Sequence, residues 1–169
     1  EYTLKISHKK ESGKMMIESV PPEEFFVDRN ARSITDAYVV AHKTEMRVGE
    51  LVAMGYEFDV VSELSGNSVD DTFSDAEKFE RSGYSEDDEE QVKDPSMKLV
   101  EVTEAYMKMD VYGTGEATMH RFILGGGNQE LLDFEPWGDV PFAIFEIDPE
   151  PHTFYGRSIA DLIMNDQDS

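Results

Sequence analysis

The sequence predicts an α+β fold: an antiparallel, largely meander sheet with short helices packed on it and a helix leaving at the C-terminus. Three observations lead there. Short runs of β-branched and aromatic residues recur, bounded by Gly, Pro or acidic residues. Between Met97 and Ile147 such runs follow one another through tight turns. Apolar residues at helical spacing occur only in brief stretches, notably from Val48, from Phe58 and near Ile159.

Residues 1–20 read as a hairpin. Tyr2, Leu4 and Ile6 alternate with Thr3, Lys5 and Ser7, and the polar run Lys9 to Gly13 supplies the turn. The return strand offers two apolar pairs, Met15 with Ile17 or Met16 with Val20, and the pattern does not choose between them. The first strand reads as one cut from a larger sheet.

Pro21 and Pro22 end the hairpin, because neither can donate to a β ladder. The stretch Val20 to Val61 then reads as strand, turn, strand and helix. Phe25 to Val27 is a short buried strand and Asp28-Arg29-Asn30 turns the chain. Ser33-Ile34-Thr35-Asp36 has capping-box spacing, enough for one helical turn. Tyr38 to His42 is the next strand. Val48, Leu51, Val52 and Tyr56 recur at helical spacing, with Gly55 placed for a left-handed cap. A second short helix spans about Phe58 to Leu64, ended by Gly66.

Gly66 to Pro95 changes character, with 11 acidic residues against Lys78, Arg81 and Lys93. Thr72 to Asp75 could cap a helix carrying Ala76 and Phe79. From Ser82 to Asp94 there is little to bury and like charges repel, so a mobile loop is expected. Consecutive acids lack the alternating spacing of a calcium loop.

Met97 to Met109 is the longest strand candidate. Val100, Val102 and Tyr106 share one face, and Leu99, Ala105, Met107 and Met109 the other, so both faces are expected to be covered in part. Tyr112 to Gly115 turns the chain, Ala117 to Leu124 returns, Gly125 to Asn128 turns again, and Glu130 to Phe134 completes a meander. Val140 to Ile147 adds a strand whose Pro141 hints at a sheet edge. Pro149 and Pro151 stop the sheet. Ser158 to Asp161 repeats the capping-box spacing, and Ile159, Leu162 and Ile163 give the terminal helix an apolar face.

The chain has 169 residues, enough for one domain with a core or one with an appended flap. It begins without Met and stops inside an amphipathic pattern, so a piece of something longer is expected. No run approaches ~18 apolar residues, so no membrane partner is expected. No secretory leader pattern stands at Glu1. With no Cys, disulfides and thiolate metal sites are excluded. The net charge is −22, which opposes non-specific binding to nucleic-acid phosphate. Three readings compete for it: a solvated acidic loop, a surface that repels DNA, and a DNA mimic that occupies a basic protein.

No motif assigns a catalytic, cofactor-binding or metal residue. Asp110 to Glu116 fails the calcium-loop frame at Tyr112 and Thr114, and a tight β-turn is the better reading. Gly125-Gly126-Gly127 lacks the phosphate-loop frame. His8, His42, His120 and His152 show no metal-ligand spacing, and His42 and His120 read as half-buried strand residues. There is no G-x-S-x-G elbow. Phe134, Trp137, Phe142, Phe145, Phe154 and Tyr155 have acidic rather than basic neighbours, which suits core or interface anchors better than a nucleic-acid platform.

The segments PPEEFFVDRNARSITDAYVVAHKTEM, ELVAMGYEFDVV and PHTFYGRSIADLI, with the hairpin at Asp110 to Glu116 between them, resemble the portal proteins of P22-like short-tailed bacteriophages. The resemblance covers about residues 18 to 167. It departs at Met46, where a hydroxyl or carboxyl cap would stand, leaving Thr44 as the expected N-cap, and at 110–116, which lacks the extra acids of many members. It implies a structural virion component and not an enzyme. Residues 1–150 would form a wing-like domain with an acidic loop at 66–95, and residues 151–169 a hinge and the start of the stem helix. The implied partners are other portal subunits in a dodecameric ring, the packaging motor (terminase), and capsid and tail proteins. The ring would sit at the capsid vertex, pass DNA without binding it tightly during packaging and genome ejection, and be assembled in the host cytoplasm. The alternatives are an acidic DNA mimic or protein-binding module, and an unrecognised hydrolase.

Overall fold

The computed structural model describes residues 2–9, 14–64, 94–145 and 154. The period-two pattern at the N-terminus folds as the predicted hairpin. Strand β1 (Tyr2–Lys9) pairs antiparallel with β2 (Lys14–Val20), and Ile6 stands directly opposite Ile17. Pro22–Glu24 follows as one 3-10 turn, in which Pro at the start costs no hydrogen bond.

The strands and first helix read in Val20 to Val61 also form. Strand β3 (Phe25–Val27) pairs antiparallel with β4 (Val39–Arg47), placing Phe25 opposite His42. Helix α1 (Val48–Met54) ends at Gly55, whose φ of 109° needs the left-handed conformation and whose N–H reaches the Leu51 and Val52 carbonyls. Helix α2 (Phe58–Glu63) comes next. Then come β5 (Leu99–Met109), β6 (Thr118–Gly125), β7 (Glu130–Pro136) and β8 (Phe142–Phe145).

Two local readings are corrected. Ser33 to Asp36 forms a turn and no helix: the Asp36 carboxylate makes the acid's half of a capping box, accepting from the Ser33 N–H at 2.8 Å, and the Ser33 hydroxyl donates to the same carboxylate at 3.0 Å. Thr44 lies inside β4 and does not cap α1. The N-cap is Arg47, whose N–H donates to the Glu50 side chain at 3.0 Å, while the Val48 N–H donates to the Lys98 carbonyl.

The single sheet expected from the sequence is two sheets. One has the order β3-β4-β5-β6-β7 and contains the predicted meander of β5, β6 and β7; the other has the order β2-β1-β8. Strand β8 leaves the meander and pairs antiparallel with β1, with Thr3 opposite Ile144 and Leu4 opposite Ala143. Pro141 cannot donate, but its carbonyl accepts the Ile6 N–H at 2.8 Å, so the proline serves the edge strand it predicted. The fold is therefore mostly antiparallel sheet with few short helices. The terminal helix expected after Ser158 and the acidic stretch before Asp94 lie outside the described residues.

The chain divides into two compact units. The first comprises residues 1–42, 106–120 and 136–169. Its core joins Val20, Phe25, Val40, Tyr106, Phe142 and Phe154. Phe142 is its hub: ring centroids lie 5.3 Å from Phe25, 5.9 Å from Tyr106 and 6.1 Å from His42, all edge-on.

The second unit comprises residues 43–105 and 121–135. Its core packs Val48 and Leu51 of α1 and Val61 and Leu64 against Val100, Val102 and Ile123 of the sheet. Gly125 packs closely: a Cβ there would fall 2.7 Å from a Leu64 methyl and 2.8 Å from a Leu132 methyl, so those side chains would have to shift. The Lys98 ammonium donates to the Ser62 and Leu64 carbonyls, which closes the C-terminal end of α2 with a cation.

Phe142→Ala removes the hub of the first core and is expected to lower stability by about 3–5 kcal/mol. Trp137→Ala removes a ring that is 38% exposed and should cost well under half of that. Urea unfolding of the two variants checks the difference; equal losses would contradict the assignment of Phe142 as hub.

Candidate functional site

A polar chain lies against the first core. His42 is buried on β4. The Lys5 ammonium donates to its Nδ1 at 3.2 Å, so Nε2 carries the ring proton and faces the Glu24 carboxylate at 3.4 Å. The Lys5 ammonium also lies 6.0 Å from the Phe142 ring centroid. These contacts tie β1 to β4 and to the turn before β3. Both imidazole nitrogens are engaged with protein groups, which suits a structural bridge. His120, fully buried on β6, donates from Nδ1 to the Thr118 carbonyl at 3.0 Å and lies beside the Tyr112 ring. Both histidines are on strands, as read from the sequence, but they are buried rather than half-buried.

The second unit pairs its charges across strands. Lys43 of β4 meets the buried Glu101 of β5 at 2.8 Å. Arg121 of β6 bridges Glu104 of β5 and Glu135 of β7, the latter at 2.8 Å. Such cross-strand pairs fix register more than they add stability, since desolvation offsets much of the Coulomb gain.

The exposed acids with a shifted pKa serve the backbone. Asp110 accepts from the Gly115 N–H at 2.6 Å and the Thr114 N–H at 2.9 Å, which holds its carboxyl below the ordinary range. Gly113 and Gly115 supply the positive φ, 69° and 83°, that brings those amides round. The calcium-loop candidate is thus the tight turn preferred from sequence. Asp94, which closes the acidic stretch, accepts from the Ser96 N–H and is lowered for that reason. Asp36 is lowered chiefly by the Ser33 N–H. A general acid for hydrolysis needs the opposite shift. The Tyr56 hydroxyl is pushed up by burial and then by the Asp133 charge. Among the described residues no group of three or more His, Asp or Glu could hold a metal ion. No helix among them is long and apolar enough to cross a membrane.

The aromatic candidates separate by burial. Phe142 and Phe154 are core, while Trp137, Phe134 and Phe145 are partly exposed. Phe134 stacks on Phe122 with centroids 6.0 Å apart. Tyr155 lies outside the described residues.

The register of the β2-β1-β8 sheet settles the face question left by the hairpin's sequence. Thr3, Val20, Phe142 and Ile144 share the inward face and are buried or packed on the core. Leu4, Ile6, Met15, Ile17, Ala143 and Phe145 share the outward face. Met15 is 73% exposed, Ile17 67% and Phe145 55%. Contiguous exposed apolar residues of this kind mark contact surfaces. The sequence did not reveal this face because both faces of KMMIESV carry apolar residues.

A family model described as phage SU10 portal protein matches residues 1–169. No curated protein matches the chain.

Removing the Asp110 carboxylate gives a pH signature. Its pKa is depressed on folding, so the unfolded state binds the proton first. The contribution is full above the ordinary value of 3.8 and is lost as pH falls through the lowered folded value. Asp110→Ala is expected to melt below the parent at neutral pH, with the gap closing in acid. Thermal scans across that range check it; a gap that stays constant or widens in acid would contradict the turn's role.

Proposed function

The chain belongs to the phage SU10 portal protein family, and from that membership we propose that it is the wing part of a portal subunit. On this reading residues 1–150 form the wing, with an acidic loop at 66–95, and residues 151–169 form a hinge and the start of the stem helix. The full-length protein assembles as a dodecameric ring at one capsid vertex. Subunits contact one another, the terminase motor during packaging, and capsid and tail proteins. The ring is a virion component assembled in the host cytoplasm.

The mechanism is geometric. Subunits repeat around an axis and bound a conduit through which DNA enters during packaging and leaves at ejection. A polyanion moving through such a ring must not adhere to it. A net charge of −22 opposes adhesion, because association with DNA phosphate depends on releasing counterions to basic side chains. The family match over the whole chain is the observation that carries the reading. The downward carboxylate shifts and the use of His42, Lys43 and Arg121 as cross-links fit a part that does no bond chemistry.

Native mass measurement of the full-length protein should give closed rings, and this chain should leave duplex DNA unshifted on a gel at physiological salt. A full-length protein that stays monomeric would overturn the ring, and a saturable DNA shift would overturn the repulsive conduit.

A further inference from the structure

We propose that the loop at residues 28–38 docks on the α1–α2 surface of a neighbouring copy of this chain. The inference rests on the portal reading and names a subunit contact for it. Its first ground is where free cations stand. Among the described basic side chains, Lys5, Lys43, Arg47, Lys98, Lys108 and Arg121 each hold a partner within the chain. The guanidinium groups of Arg29 and Arg32 hold none among the described residues, and both residues are exposed. Their loop is built to present them. Asp28 accepts the Asn30 N–H and Asp36 accepts the Arg32 and Ser33 N–H groups, so the loop's own acids are engaged by the backbone. Ala31 and Ala37 anchor the loop in the first core, and the Lys108 ammonium braces the Thr35 carbonyl at 3.1 Å. A loop held in this way loses little freedom on docking. Tyr38, 64% exposed, and Phe26 and Val39 on the flanking strands add exposed apolar area. Arginine with tyrosine and phenylalanine is the composition of contact surfaces.

The second ground is a complementary surface in the same sequence. Glu57, Asp59 and Glu63 are exposed and have no ion-pair partner among the described residues. Asp59 and Glu63 stand four residues apart on one face of α2, a like-charge spacing that weakens a helix unless a cation lies across it. The Lys98 ammonium near that helix is taken up by the Ser62 and Leu64 carbonyls. Residues 54–63 hold no basic residue, and Met54, Phe58 and Val60 are exposed among the acids. The two surfaces therefore match in sign and in apolar content. They are different patches, so the contact is head-to-tail, the kind that closes into rings. DNA phosphate is the weaker match. A net charge of −22 opposes its approach, and a pair of arginines is few against the roughly six to ten phosphate contacts of a DNA-binding protein.

The test is charge reversal in the full-length protein, with ring dissociation followed by mass photometry. Arg29→Glu with Arg32→Glu should raise the concentration at which rings dissociate by about tenfold or more. Asp59→Lys with Glu63→Lys should do the same. Each pair should leave the melting of the dissociated subunit unchanged, because these side chains have no partner in their own copy. All four changes in one chain should recover most of the lost assembly, which a merely local defect would not allow. Rings of the arginine variant as stable as the parent's would overturn the inference, as would a loss that the lysine changes do not recover; both leave the portal reading standing. An arginine variant that keeps its rings but loses duplex DNA binding at low salt would assign the loop to nucleic acid instead, and would overturn it too. A full-length parent that forms no ring would overturn both readings.

Discussion

The pairing of β1 with β8 is the constraint on which the first unit depends. A strand at the start of the chain takes a neighbour from residues 142–145, and the sheet they form carries Phe142 into the core. Without that pairing the N-terminal hairpin would be two strands alone, which are marginal in water. With it, β1 becomes a central strand, and Lys5 is brought beside His42 and the Phe142 ring. One face of the sheet is then spent on the core. The other is left apolar and outward.

This division explains how an acidic chain carries both a stable fold and a quiet surface. Many acids inside the described fold have local work. Glu101 and Glu104 are tied to Lys43 and Arg121 across strands, Glu24 faces His42, and Asp36, Asp94 and Asp110 accept backbone N–H groups. Acids with such partners hold turns and registers in place.

Local structure was legible where sequence spacing and turn chemistry act over a few residues. The hairpin, β3 to α1, the Gly55 cap, α2 and the meander all follow from period-two or helical patterns bounded by Gly and Pro. What was not legible is non-local. Nothing near Pro141 says that the strand after it pairs with residues 2–5 and not with the meander. The hairpin's inward face was hidden for the same reason, since Met15 and Val20 look equally apolar until a register is known. Glu101 gave no sign of burial, because its partner Lys43 comes from another strand. Ser33 to Asp36 misled because the capping contact from the Ser33 N–H to the Asp36 carboxylate forms without a helix after it: the chain leaves the turn straight into β4. The family resemblance rested on extended similarity, and the matching model over residues 1–169 bears it out.

The account holds that the N-terminal hairpin is integral to the first core and not an appended flap. Native-state hydrogen exchange at the Ile6 amide tests this directly, because that N–H donates to the Pro141 carbonyl. The account predicts that Ile6 opens with the same free energy as the core amides around Val40, as one cooperative unit. An Ile6 amide exchanging at the rate of an unstructured peptide, while Val40 stays protected, would contradict it.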